Sequence, residues 1–142
     1  MVVEVKARNT IGQFIFMLSL QEYKQSKGAK GLVQKMFEAR QVAHNCHLKT
    51  KSFAEHKALN SFYDDLLDLV DKFVETYQGQ HGLIGDCNFT VESVANATEY
   101  LEDCAKLFSV GRDSLKESHL QNIMDEVIAL TYRTVYKLKF LK

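Results

Sequence analysis

The stretch SFAEHKALNSFYDDLLDLVDKFVETY, residues 52–77, decides the fold. Leu59, Phe62, Leu66, Val70, Phe73 and Tyr77 recur at helical spacing and share one face. Asp64, Asp65, Asp68, Asp71 and Glu75 occupy the other faces. Ser52-x-x-Glu55 is a capping box that opens the helix. At ~1.5 Å per residue, such a helix runs to nearly 40 Å. Its single apolar face must pack against other elements, and its acidic faces suit solvent.

The flanking sequence supplies the other members. Upstream, Leu32, Met36, Ala39, Ala43 and Cys46 form an apolar stripe over about residues 32–48. Downstream, Val94, Ala97, Leu101, Cys104 and Phe108 form another, with Thr90 as its expected cap. A last stripe is Leu120, Ile123, Val127, Leu130, Thr134 and Leu138, with Ser114-x-x-Glu117 as a second capping box. The first and second of these helices are joined by about four residues, as are the third and fourth, so each pair forms an antiparallel hairpin. A link of roughly ten residues, punctuated by Gly79, Gly82 and Gly85, joins the hairpins and is longer than a usual bundle loop. Two hairpins with a long crossover describe an all-α, ferritin-like four-helix bundle. An additional N-terminal helix is expected over about Thr10–Gln25, which is apolar almost all round, with Met1–Arg8 extended before it.

The chain has 142 residues, enough for one domain: an N-terminal extension over 1–30 and the bundle over 31–142. It contains no proline and no tryptophan. Three cysteines without a CxxC motif point to a reduced compartment, the cytoplasm of a bacterial or phage-infected cell, with a virion as the other setting. The longest apolar run, Phe14–Leu20, is too short to span a bilayer, so no membrane partner is expected. Net charge is zero but unevenly spread: +6 over residues 1–51, −10 over 52–126 and +4 over 127–142. Basic ends suit nucleic acid and an acidic middle suits cations; solvated helix faces account for the same pattern.

No Walker A loop, GxGxxG, nucleophile elbow or HExxH occurs. None of the five histidines has an acid three residues before it, which excludes the Glu-x-x-His di-iron site inside a single bundle. His44, His47 and His56 instead flank the tight turn of the first hairpin. His47 lies about 20° around the helix from Met36 and so faces the apolar stripe. Imidazoles gathered there can bind iron or zinc, or each can be satisfied by one hydrogen bond at the end of a core. Cys46 adds a thiol to a zinc reading with His44 and His47. Asp71 and Glu75 are hard oxygen ligands one turn apart on the long helix. His56 and Asp71 are about 22 Å apart along that helix and cannot hold one ion within one chain. Two copies packed antiparallel about a two-fold axis bring His56 of one toward Asp71 and Glu75 of the other.

The segment His44–Glu75 resembles the metal-site segment of Dps-like mini-ferritins. That family's pattern is a histidine, a second one twelve residues on, an acid four further, then acids eleven and fifteen beyond. His44, His56, Asn60, Asp71 and Glu75 reproduce the spacing without a gap. Asn60 stands where the family carries a carboxylate, and His47-Leu48 is a second way to place the first histidine. The stretches His47–Leu59 and Phe62–Gly79 are also similar to small ferritin-like proteins of tailed bacteriophages. The resemblance implies oxidation of ferrous iron by peroxide or oxygen at sites shared by two chains, with storage in an oligomeric, dodecameric shell. It implies His44 or His47, with His56, as ligands from one chain, Asp71 and Glu75 from the other, and Asn60 as a weakened ligand. Lys24, Lys27, Lys30, Lys137, Lys139 and Lys142 are the residues available for non-specific DNA contacts. The competing expectations are a bundle without catalysis or cofactor, a phage structural or host-interaction protein, and a regulatory bundle stabilised by zinc or another metal through His44, Cys46 and His47.

Overall fold

The computed structural model describes residues 11–14, 16–17 and 28–142. Most of the expected N-terminal helix, the extended Met1–Arg8, and Lys24 and Lys27 lie outside them. Residues 11–14 and 16–17 are helical. Four long helices follow: α1 (Gly28–Lys49), α2 (Phe53–His81), α3 (Ala97–Ser114) and α4 (Ser118–Phe140). Among the described residues there is no strand, and no helix is long and apolar enough to cross a membrane.

The helices form where the apolar stripes fall. Leu32, Met36 and Ala39 of α1, Leu59, Phe62, Leu66, Val70 and Phe73 of α2, Leu101, Cys104 and Phe108 of α3, and Leu120 and Val127 of α4 are buried in one core. Phe62, Phe73 and Phe108 are fully inaccessible, and each such ring stabilises the fold by about 1.5–3 kcal/mol. Thr131 and Thr134 enter this core because their hydroxyls donate to Val127 O and Leu130 O one turn back, at 2.8 and 2.9 Å. Gly82 ends α2 at φ 92°, a conformation that favours glycine, and its N–H donates to Gln78 O.

α1 packs on α2 and α3, and α4 packs on α2 and α3. The connection between the hairpins, residues 82–96, is longer than expected and travels the length of the bundle. It passes Lys30 at the start of α1, where a Cβ on Gly85 would lie 3.9 Å from Lys30 Nζ. Phe89 then stacks on Phe37 in the middle of α1, with centroids 6.0 Å apart. Finally Val94 O accepts from Lys49 Nζ at 3.2 Å, at the end of α1. The chain therefore returns to the α1–α2 turn before α3 begins, so α2 and α3 run parallel and both hairpins are antiparallel.

Two expected caps are corrected. Thr90 does not open α3; Asn96 does, its Oδ1 accepting from Glu99 N at 3.1 Å. Val91 and Val94 mimic helical spacing but pack against the core from the crossover. Ser114 does not open α4: its hydroxyl donates to Gly111 O at 2.7 Å and closes α3, while Glu117 takes the N-cap position of α4 without a side-chain bond. Ser52 caps α2 as expected, accepting from Glu55 N at 3.2 Å. The return half of that box is replaced by Thr50 Oγ1, which accepts from Ser52 N at 3.1 Å.

Candidate functional site

The turn between α1 and α2 is only Thr50–Ser52. It places His47, near the end of α1, against His56, in the first turn of α2. The two imidazoles are anchored reciprocally. His47 Nδ1 donates to His56 O at 2.8 Å, and His56 Nδ1 donates to His47 O at 2.9 Å. A carbonyl can only accept, so the geometry assigns a proton to Nδ1 in both rings, and Nε2 is the nitrogen that the neutral tautomer leaves with a lone pair. The rings stack at 3.7 Å with 21° between their planes.

Two more rings complete the cluster. Tyr63 lies two turns beyond His56 on α2, and His44 stacks on it at 4.2 Å and 15°. His47 meets Tyr63 edge-on at 5.2 Å and 81°, and meets His44 at 5.8 Å. Tyr63 OH donates to Asn60 Oδ1 at 2.9 Å, and Asn60 Nδ2 donates to Asp64 Oδ2 at 3.0 Å. Asn60, the position where mini-ferritins carry an acid, is thus committed within its own helix. His47 and Tyr63 are buried, while His44, His56 and Asn60 are half-buried and reachable.

This arrangement limits what the histidines can do. Stacked imidazoles send their in-plane lone pairs along nearly parallel planes, not toward a common point. His47 and His56 therefore cannot share one ion in this rotamer pair. Each half-buried histidine can offer one nitrogen, and the other ligands must come from elsewhere. Asp71 and Glu75 are exposed on α2. They lie about 22 and 28 Å along the helix from His56 and are not brought to it within the chain. Among the described residues, no three His, Cys, Asp or Glu side chains gather into a metal-holding group.

Cys46 turns away from the histidines. Its Sγ faces Val94 O on the crossover at 3.8 Å, and burial pushes its thiol above the ordinary value. Cys104 lies deep in the core, and burial pushes its thiol up to about 12. Neither thiol is presented as a nucleophile. The lysines divide between the two ends. Lys30 lies at the start of α1, whereas Lys137, Lys139 and Lys142 lie at and beyond the end of α4, beside the α1–α2 turn. Lys139 is paired with Glu102.

Sequence reasoning missed Tyr63 as a member of the cluster. The available signal was its seven-residue spacing from His56, two turns along one face. It also missed a polar tie between α1 and α3: Tyr100 OH donates to Glu38 Oε2 at 3.0 Å, and Lys35 pairs with Glu38 and lies 5.2 Å over the Tyr100 ring. Burial, then the neighbouring Cys104 and Glu38, hold the Tyr100 hydroxyl protonated.

An all-α bundle of two antiparallel hairpins, closed at one end by a ring cluster and joined by a crossover along its length, is the class defined by these features. The chain belongs to a family of unknown function, DUF5856, whose model matches residues 47–138, from the buried histidine to the last turn of α4. It is also 28% identical over 109 residues to an uncharacterised 14.6 kDa protein from the mobD–ri intergenic region of Enterobacteria phage T4. That match covers 72% of this chain and 81% of the phage protein. No solved structure matches the chain. The phage connection expected from the sequence thus has a relative behind it. His56, Asn60, Asp71 and Glu75 fall inside the family match, and His44 falls outside it.

Proposed function

We propose that the protein is a ferritin-like, Dps-like bundle that binds ferrous iron at sites completed between two copies and oxidises it there. The observation that carries the reading is the double anchoring of His47 and His56, whose Nδ1 atoms are held by carbonyls. That is how proteins orient imidazoles that use Nε2 as a ligand. The crossover that makes α2 and α3 parallel supports the ferritin-like part of the proposal.

In this account His56 and His44 present imidazole nitrogen from one copy, and the exposed Asp71 and Glu75 present carboxylate oxygen from the other. Mixed nitrogen and oxygen donors suit ferrous iron, the substrate. With peroxide as oxidant, two ferrous ions each give up one electron, and peroxide takes two protons and leaves as two waters. The oxidised iron is held inside an oligomeric shell. Asn60 supplies a neutral amide where a carboxylate would add charge, so one of two adjacent iron positions is weakened. The test is stopped-flow oxidation of ferrous iron by peroxide with the purified protein. A rate above that of buffer, lost in His56→Ala and in Asp71→Ala, supports the reading; a rate equal to buffer ends it.

The stacking of His47 on His56 and the engagement of Asn60 with Tyr63 favour a second reading. There the ring cluster closes the hairpin, and the bundle is a phage structural or host-interaction protein without catalysis. Presence of the protein in purified virions, with no iron uptake, distinguishes it.

A further inference from the structure

The C-terminal half of α4 carries an aromatic and basic face that nothing among the described residues covers. Tyr132, Tyr136 and Phe140 are 48, 55 and 70% exposed. They recur every four residues, so they form one stripe, and the Tyr136 and Phe140 rings lie 5.8 Å apart. Arg133 and Lys137 are exposed along the same stripe. The ion pairs of α4 use Asp125 with Arg112, Glu126 with Lys72, and Lys139 with Glu102. Among the described residues, Arg133 and Lys137 have no acidic partner. Three exposed rings in a row with unpaired cations are more than the scattered apolar residues of an ordinary surface.

The outer face of α2 has the opposite character. Asp64, Asp68, Asp71 and Glu75 are exposed at spacings of four, three and four residues, and none is in an ion pair among the described residues. Arg133 and Lys137 are one turn apart, as are Asp64 and Asp68, so the two cations and two of the anions match in spacing, about 5–6 Å in each pair. We propose that the aromatic, basic face of α4 in one copy docks on the acidic stripe of α2 in a second copy. Both surfaces lose their unpaired charge in one contact, and the tyrosines supply the anchoring area. Because the contact joins two different faces, it is heterologous and builds a ring or an open chain of copies. A single-stranded nucleic acid would also suit rings and cations. The acidic face of α2, which packs beside α4, repels phosphate, whereas a second copy satisfies both stripes. The contact needs no metal, and because it occupies the face that carries Asp71 and Glu75 it is an alternative to the iron site for that face.

The test compares solution masses of three full-length proteins by sedimentation velocity. They are the wild type, Arg133→Asp with Lys137→Asp, and Asp64→Lys with Asp68→Lys. All four positions are exposed, and circular dichroism checks that each variant keeps its helices. Wild type is expected to assemble, and each double variant alone to run at a lower mass, because its two faces then carry like charge. An equimolar mixture of the two variants is expected to regain the wild-type mass, because every reversed face meets a complementary one. A monomeric wild type, variants that keep its mass, or a mixture that stays dissociated overturns the proposal. Binding of a short oligo-dT by a monomeric wild type, lost in the α4 variant, overturns it in favour of nucleic acid.

Discussion

The two ends of the bundle use histidine in opposite ways. At the α1–α2 turn, His47 and His56 spend Nδ1 on carbonyls and keep Nε2. At the far end, His81 spends Nε2 on Glu117 at 2.6 Å, and His119 spends Nε2 on Gln80 at 2.7 Å. Each of these rings keeps one nitrogen out of those bonds: Nε2 at the first end, where backbone carbonyls fix stacked rings, and Nδ1 at the far end, where side chains alone hold them. The far end ties α2 to the start of α4 through side chains alone. A histidine count does not find a site; the atom left over after hydrogen bonding and the hold on its ring do.

The largest expected difference between the ends is in iron chemistry. His56→Ala should lower the rate of ferrous oxidation by about 10–100-fold, the range for losing an ordered ligand or its support. His81→Ala and His119→Ala should leave that rate unchanged. Equal losses at both ends would erase the comparison.

Stability comes next. His47→Ala removes a stacked, buried ring and the side-chain bond that His56 O accepts, and it should cost about 1–3 kcal/mol in urea unfolding. His119→Ala, at an exposed position, should cost less than ~0.5 kcal/mol. If His119→Ala proves as costly as His47→Ala, the ring cluster is no special closure of the hairpin.

Asn60→Asp sharpens the contrast further. It supplies the missing carboxylate and should raise ferrous oxidation severalfold. It also breaks the bond to Asp64 and sets like charges one turn apart, costing about 0.2–0.5 kcal/mol of stability. A lower rate would show that the amide, not a carboxylate, belongs at this position.

The smallest effect is a pH dependence at the far end. A hydrogen bond from its own backbone N–H, then the neighbouring His81, hold the Glu117 carboxyl below the ordinary value. A carboxylate depressed in the folded state contributes stability above its unfolded pKa, and that contribution disappears as pH falls through the folded value. Glu117→Gln should therefore slightly flatten the acid limb of the unfolding midpoint against pH. An unchanged limb would mean that solvent screens the exposed pair completely.

Much of this architecture is legible in the sequence because it rests on local periodicity. The stripe from Leu59 to Phe73 is buried as its spacing demands, and Ser52 caps the helix that it precedes. The start of α3 was not legible. Val91 and Val94 have the spacing of a helix, yet their burial comes from packing of the crossover on the core, a tertiary contact that no local pattern carries. The site shows the same division. That His47 and His56 meet across a short turn follows from their positions. That they exchange hydrogen bonds, and that Tyr63 stacks with His44, depends on rotamers set between two helices. The distance from His56 to Asp71 follows from helical rise alone, and it is the reason the proposed iron site is placed between two copies.

The most direct test of that sharing is complementation. His56→Ala and Asp71→Ala proteins, each expected to be at least about tenfold slower alone, are unfolded together, refolded as a mixture and assayed for ferrous oxidation by peroxide. A site built from His56 of one copy and Asp71 of the other is intact once in every mixed pair, so random pairing should restore about a quarter of the wild-type rate. A mixture as slow as either parent would contradict a shared iron site.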